Sequence, residues 1–109
     1  MPYNQELDDR VTGAITKMGV SVIQKKMFGG TCNLINGNMM CGVYKDYLIL
    51  RLGEDHGEKA LSRPHTRPFD MTGRPMKGWV MVEQEGLSDA ALEQWLSQSR
   101  EFAESLPPK

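Results

Sequence analysis

A chain of 109 residues, 39% hydrophobic and 25% charged, suits one domain with its own core and is short for two. Thirteen Lys and Arg against fourteen Asp and Glu leave a net charge of -1, which argues against a dedicated nucleic-acid-binding domain, since such domains are strongly basic. No run of about 18 apolar residues occurs, and Met1-Pro2-Tyr3-Asn4-Gln5-Glu6 lacks the basic and apolar regions of a signal peptide, so neither a membrane span nor membrane binding is expected, the expected location is cytoplasmic, and the two cysteines read as reduced thiols.

In chain order, residues 4–18 predict an amphipathic helix, with Leu7, Val11, Ala14, Ile15 and Met18 on one face. Asn4 suits the N-cap and Gly19 the position just past the end, where positive φ costs glycine nothing. Strands are expected at 21–28, 31–35, 38–44 and 47–52. Gly29-Gly30 breaks the first pair, Asn36-Gly37 is a type I′ hairpin signal, and Lys45-Asp46 turns the third strand into the fourth. A short helix over 54–61 has Glu54 and Asp55 early and Lys59 late, matching the helix dipole. The stretch 62–78 holds Pro64, Pro68, Gly73 and Pro75 and cannot be one regular element, although Phe69-Asp70-Met71 reads as extended. Residues 79–83 predict a further strand. The last helix opens at Ser88, with Leu87 and Leu92 as a hydrophobic staple, and buries Leu92, Trp95, Leu96, Ser99, Phe102, Ala103 and Leu106 before Pro107-Pro108 stops it.

If both hairpin turns are two-residue loops, Leu34 faces Met39, Cys32 faces Cys41, Val43 faces Leu48 and Cys41 faces Leu50. Period-2 alternation then gathers Cys32, Leu34, Met39, Cys41, Val43, Leu48 and Leu50 on the core side and leaves Thr31, Asn33, Met40, Gly42 and Arg51 on the other. The expected fold is a two-layer α+β domain, an antiparallel sheet packed on N- and C-terminal helices in the order α-β(4)-α-β(1–2)-α.

Lys26-Met27-Phe28-Gly29-Gly30, the hairpin Asn36-Gly37-Asn38-Met39-Met40, the strand Tyr47-Leu48-Ile49-Leu50-Arg51 and the run Thr72-Gly73-Arg74-Pro75-Met76-Lys77-Gly78-Trp79, in that order, resemble the TfoX (Sxy) N-terminal domain family, named for a regulator of natural competence in some bacteria. The resemblance covers nearly the whole chain, so residues 1–109 are expected to form one such domain. It implies a fold similar to the secretion chaperones and a regulatory role, in which competence regulators act with the cyclic-AMP receptor protein on promoters. It carries no catalytic residue onto this sequence.

Read from the residues themselves, catalysis finds no support: neither His56 nor His65 can be placed beside a cysteine or serine with an orienting third group. A metal site finds none either, because no CxxC or HxxxH spacing exists, and no cofactor is expected. This register puts Cys32 and Cys41 at a non-hydrogen-bonded pair, where Cα atoms come within about 4.5 Å, the short end of the disulfide range, so a bridge would be strained and readily reduced, a candidate redox pair. The plainer reading is two buried thiols filling core volume. Gly29-Gly30 lacks the further glycines and following helix of a phosphate loop.

Arg63, His65, Arg67, Arg74 and Lys77 crowd one long loop against a single acid, Asp70, and are the candidate binding residues; guanidinium forks suit phosphate or carboxylate. Alternatively these charges solvate the loop and pair with Glu54, Asp55 or Glu83. Lys25 and Lys26 point to opposite sheet faces, so at most one extends this surface. Met40 and Met76, if exposed, are candidates for an adaptable partner surface. The expected function is a non-enzymatic regulatory module that binds a protein through the outer sheet face or this loop. An anion or nucleic-acid binder is the alternative, direct DNA binding is not favoured, and an exposed strand edge leaves a homodimer open.

Overall fold

Asn4 begins the first helix as its side chain permits: held in extended backbone, it accepts a hydrogen bond from the Leu7 amide at 3.0 Å, and helix α1 runs Gln5–Met18. Gly19 ends it at φ 72°, its amide donating to the Thr16 carbonyl. The structure, a computed structural model, describes residues 3–27, 29–70, 73 and 76–108, with Met27 as backbone alone.

Four strands follow, β1 (Ile23–Met27), β2 (Gly30–Ile35), β3 (Asn38–Tyr44) and β4 (Tyr47–Arg51). Next come α2 (Glu54–Ala60), β5 (Thr66–Pro68), β6 (Trp79–Val82), a 3-10 turn (Gln84–Gly86) and α3 (Asp89–Ser105). The strands form one sheet in the order β1-β2-β3-β4-β6-β5, and every strand pairing is antiparallel. Helix α3 lies across β3 and β4 with α1 beside it, and α2 packs against β6. This is the expected α+β architecture. The extended piece after α2 falls at residues 66–68 rather than 69–71, and Met71 lies outside the described residues. Pro68 fits there because β5 is the sheet edge, where a missing amide leaves no ladder bond unmade.

The turns behave as their residues require. Asn36 and Gly37 both have positive φ, 52° and 83°, as a type I′ turn demands. Across the next turn Val43 faces Leu48 and Cys41 faces Leu50, as expected. The β2–β3 ladder departs from the simple register. Leu34 does face Met39, but the ladder then shifts: Asn33 stands opposite Cys41, Cys32 opposite Gly42 and Thr31 opposite Val43. Met40 is the extra residue of a β-bulge.

A one-residue shift exchanges faces, so all of β2 changes side relative to Cys41 and Val43. The helix-facing layer holds Ile35, Met40, Cys41, Val43, Leu48, Leu50, Val80 and Val82, packed with Leu7, Val11, Ile15, Leu92, Trp95 and Leu96. Met40, expected on the outer side, is fully buried, whereas Met39 and Leu34, expected in the core, are half-buried on the outer face. Cys32 also moves to the outer face, in a row with Gly42, Ile49 and Met81 across four strands. Met39 folds back over that row: a Cβ added to Gly42 would lie 3.1 Å from its terminal methyl carbon.

The shift also brings Thr31 and Asn33 under the helices, and both find partners. Thr31 donates to the buried Asp8 carboxylate at 2.8 Å, Gln24 donates to the same oxygen at 3.3 Å, and the Asn33 amide lies 3.7 Å from the Cys41 sulfur. Buried polar groups are tolerated when so satisfied. Helix α3 closes the layer as its sequence predicts. The Ser88 hydroxyl caps the Ala91 amide at 3.2 Å, Leu87 and Leu92 are buried together, and Trp95, Leu96, Ser99 and Ala103 face inward, with Phe102 and Leu106 half-buried at the end.

The bulge makes a prediction that a regular hairpin does not. Met40→Ala empties a core position and should destabilise the fold by about 2–5 kcal/mol in urea unfolding. Met39→Ala should cost less than half as much, and a regular hairpin would reverse that order.

Candidate functional site

The long segment after α2 does not gather its cations at one point. Arg63 leaves the end of α2 and lays its guanidinium over the Trp95 ring of α3, 4.2 Å from the centroid. That stacking ties the segment to the helix layer and contributes about 0.5–2 kcal/mol. Arg67, on the edge strand, meets the Glu83 carboxylate at 3.3 Å. His65 takes a left-handed backbone, φ 65°, and its carbonyl accepts from the Glu83 amide at 2.8 Å. Lys77 is exposed beside a groove, and Arg74 lies outside the described residues. The four candidate residues among the described ones thus fall in three places: Arg63 on α3, His65 and Arg67 beside Glu83, Lys77 at the groove.

That groove, of about 350 Å³, opens between α2 and the segment entering β6. One wall is a single helical face, Glu54, Gly57, Glu58 and Leu61 at i, i+3, i+4 and i+7; the other is Pro68, Met76, Lys77, Gly78 and Trp79. Its floor exists because two backbones touch: a Cβ added to Gly57 would lie 2.9 Å from the Gly78 Cα. Gly78, at φ 86°, has the left-handed backbone glycine accepts freely, and its carbonyl takes the Leu52 amide at 2.8 Å. Trp79 is braced by the buried Phe69, ring centroids 6.1 Å apart, and by the Arg51 guanidinium 5.3 Å from its own centroid.

Of the three large hydrophobic side chains exposed among the described residues, Ile23, Leu61 and Met76, two line this groove. Glu54 and Glu58 stand four residues apart on its rim, and among the described residues neither forms an ion pair. Met76 was legible as a candidate for a partner surface. Leu61, Trp79 and the two glutamates were not, although the spacing of Glu54, Gly57, Glu58 and Leu61 carries the signal of a shared face.

A family model for the TfoX N-terminal domain matches residues 16–103, from the end of α1 into the last turns of α3. The chain belongs to the TfoX N-terminal domain family. No curated protein and no solved structure matches it. In this TfoX N-terminal domain the matched span includes the bulged hairpin and both walls of the groove. No helix among its described residues is long and apolar enough to cross a membrane.

The cysteines of this TfoX domain do not form the expected cross-strand pair. Cys32 faces Gly42 and Cys41 faces Asn33, and the bulge puts the two side chains on opposite faces of the sheet. Both are free and fully buried. Burial pushes the Cys32 thiol up to about 11 and the Cys41 thiol up to about 12, the Asn33 amide opposing the latter only in part. A thiol so raised carries almost no thiolate at neutral pH and is a poor nucleophile.

In the native TfoX domain at pH 8, neither cysteine should therefore react with a disulfide reagent such as DTNB, and both should react in guanidinium. The sign of the pH dependence follows. Thiols of the unfolded chain ionise near 9.0, while the folded ones hold their protons to about 11 and 12. Between those values the unfolded state binds fewer protons, so stability falls as pH rises, by up to about 1.4 kcal/mol per pH unit per thiol. Cys32→Ala should flatten that alkaline slope in urea titrations at pH 9–11.

Proposed function

We propose that this TfoX N-terminal domain is a non-enzymatic regulatory module that works by docking a segment of a partner protein in the groove between α2 and Trp79. The observation that carries the reading is that exposed Leu61 and Met76 line one groove with a braced tryptophan and with two glutamates that form no ion pair among the described residues. An apolar side chain entering between Leu61 and Met76 would remove their surface from water, at about 25 cal/mol per Å². A Lys or Arg next to it would relieve the like-charge pair on α2, which at i and i+4 is unfavourable while alone. The occupant is therefore a segment with an apolar anchor flanked by a basic residue. Methionine and leucine side chains adapt to an anchor's shape, and the tryptophan in the wall gives it a large rigid surface. The family's competence regulators support a regulatory use of such docking.

The alternative of an anion or nucleic-acid site on the long loop draws less support from the geometry. Arg63 is stacked on Trp95 and Arg67 is paired with Glu83, while Lys77 shares the groove with two acids.

Selection of displayed random peptides on the full chain, followed by ¹H–¹⁵N titration of the winners, tests the docking reading. It expects an apolar anchor adjacent to Lys or Arg and amide shifts over residues 54–61 and 76–79. Leu61→Asp should abolish binding with an unchanged far-UV spectrum, whereas Arg67→Ala should leave it within about twofold, the scale of an exposed charge effect. Shifts confined to the outer sheet face or to residues 63–67, or binding indifferent to Leu61→Asp, would overturn the reading. A duplex DNA ligand whose affinity falls with salt at a log–log slope near about -3.6, as for four phosphate contacts, would transfer the function to the loop.

A further inference from the structure

We propose that His65, Glu83 and Glu85 form a surface site for a divalent transition-metal ion of the zinc type. One ring nitrogen of His65 and one carboxylate oxygen from each glutamate lie within 4.8 Å of one another. Zinc bonds to nitrogen and oxygen of about 2.0–2.2 Å set tetrahedral neighbours about 3.4 Å apart, so side-chain rotations moving the donors by about 1 Å close the cluster around an ion. Three protein ligands leave a fourth position for water.

The backbone builds this cluster from three separate causes. Thr66 pairs with Val82, so His65 and Glu83 are opposite one another one step beyond the ladder, and the Glu83 amide bonds the His65 carbonyl at 2.8 Å. The 3-10 turn Gln84–Gly86 then brings Glu85 back to the same place. The turn closes because residue 86 is glycine: a Cβ there would stand 2.8 Å from the His65 Cβ and 3.3 Å from a Val82 methyl carbon. His65 itself holds a left-handed backbone, φ 65°, which an L-residue adopts at a cost and which the pairing with Glu83 maintains. The backbone thus brings the three side chains together, and rotation of those side chains completes the site.

The donor set selects the class of ion. A neutral imidazole suits zinc, cobalt or nickel, whereas calcium and magnesium prefer all-oxygen cages. Two carboxylates balance the charge of a divalent ion. The present cationic partner of Glu83 is Arg67, at 3.3 Å and more than half exposed. Arg67 and the metal compete for one carboxylate, which gives the test a sign. A bound ion would fasten the short edge strand β5 to the turn that leads into α3.

Calorimetric titration of the full chain with zinc chloride at pH 7.4, in parallel with NMR of the His65 ring, decides the matter. One saturable site is expected, with broadened or shifted His65 ring signals. Outer-shell partners alone are worth about 10–100-fold in affinity, so His65→Ala and Glu85→Gln should each weaken binding by at least about tenfold. Arg67→Ala should tighten it by about two- to fivefold, the worth of an exposed ion pair. His56→Ala, on α2, should change nothing. Binding unaltered by His65→Ala, weaker binding in Arg67→Ala, or no saturable site below about 1 mM zinc would each overturn the proposal; that concentration corresponds to only about 4 kcal/mol.

Discussion

The bulge at Met40 decides which residues the helices cover. In a regular antiparallel ladder, Met40 and Cys41 would point to opposite sides; here both face α1 and α3, against the single residue Asn33. Two consecutive apolar side chains are thereby buried, each worth on the order of 1–3 kcal/mol of transfer free energy. The cost is that Thr31 and Asn33 come inside with them. The Asp8 carboxylate, which also accepts from Gln24, takes the Thr31 hydroxyl, and the Cys41 sulfur meets the Asn33 amide. One extra residue in β3 thus fixes the core, the buried polar cluster under α1 and the separation of the two thiols.

The opposite end of the sheet obeys a different constraint, the close approach of two backbones. Gly57 of α2 and Gly78 before β6 touch where any side chain would hold them apart, and Gly78 also lies against Gly53. Glu58 and Leu61, further along the same face of the helix, line one groove with Trp79. A cleft with apolar walls results from glycines rather than from any void in the core. The core beneath is continuous, with Ala60, Val80 and Leu52 all in one cluster.

Elements that rest on local chemistry were legible in the sequence. Asn4, Gly19, Ser88 and the Asn36-Gly37 turn each act through backbone groups within four residues of themselves, so their residue types suffice to place them. The Cys32–Cys41 facing failed because a turn fixes the register only until something interrupts the ladder. The interruption was written in Met39-Met40-Cys41, three apolar residues in a row that period-2 alternation cannot place on one face. The apolar look of Cys32 and Leu34 concealed it, since both registers yield plausible core lists. The candidate cations were legible as residues but not as a site: a guanidinium's destination depends on Trp95 and Glu83, which reach it only through the fold.

What the family conveys is distinct from what this chain's geometry adds. Membership in the TfoX N-terminal domain family rests on residues 16–103 and carries the architecture with it. It does not explain why Leu61 and Met76 stand exposed beside Trp79, since a sheet can be finished without exposing either. Large apolar side chains kept at the surface gain nothing for the fold, and the acids beside them form no ion pair among the described residues. Their position on the rim of a backbone-built cleft is accounted for if another chain covers them, because both the apolar surface and the acids then find partners. The two described loop arginines, by contrast, have partners within the domain itself, Arg63 on α3 and Arg67 at the exit of β6. The difference is one of partners: Arg63 and Arg67 fasten the long segment to the domain, while among the described residues Leu61, Met76, Glu54 and Glu58 at the cleft keep their apolar surface and charge toward solvent.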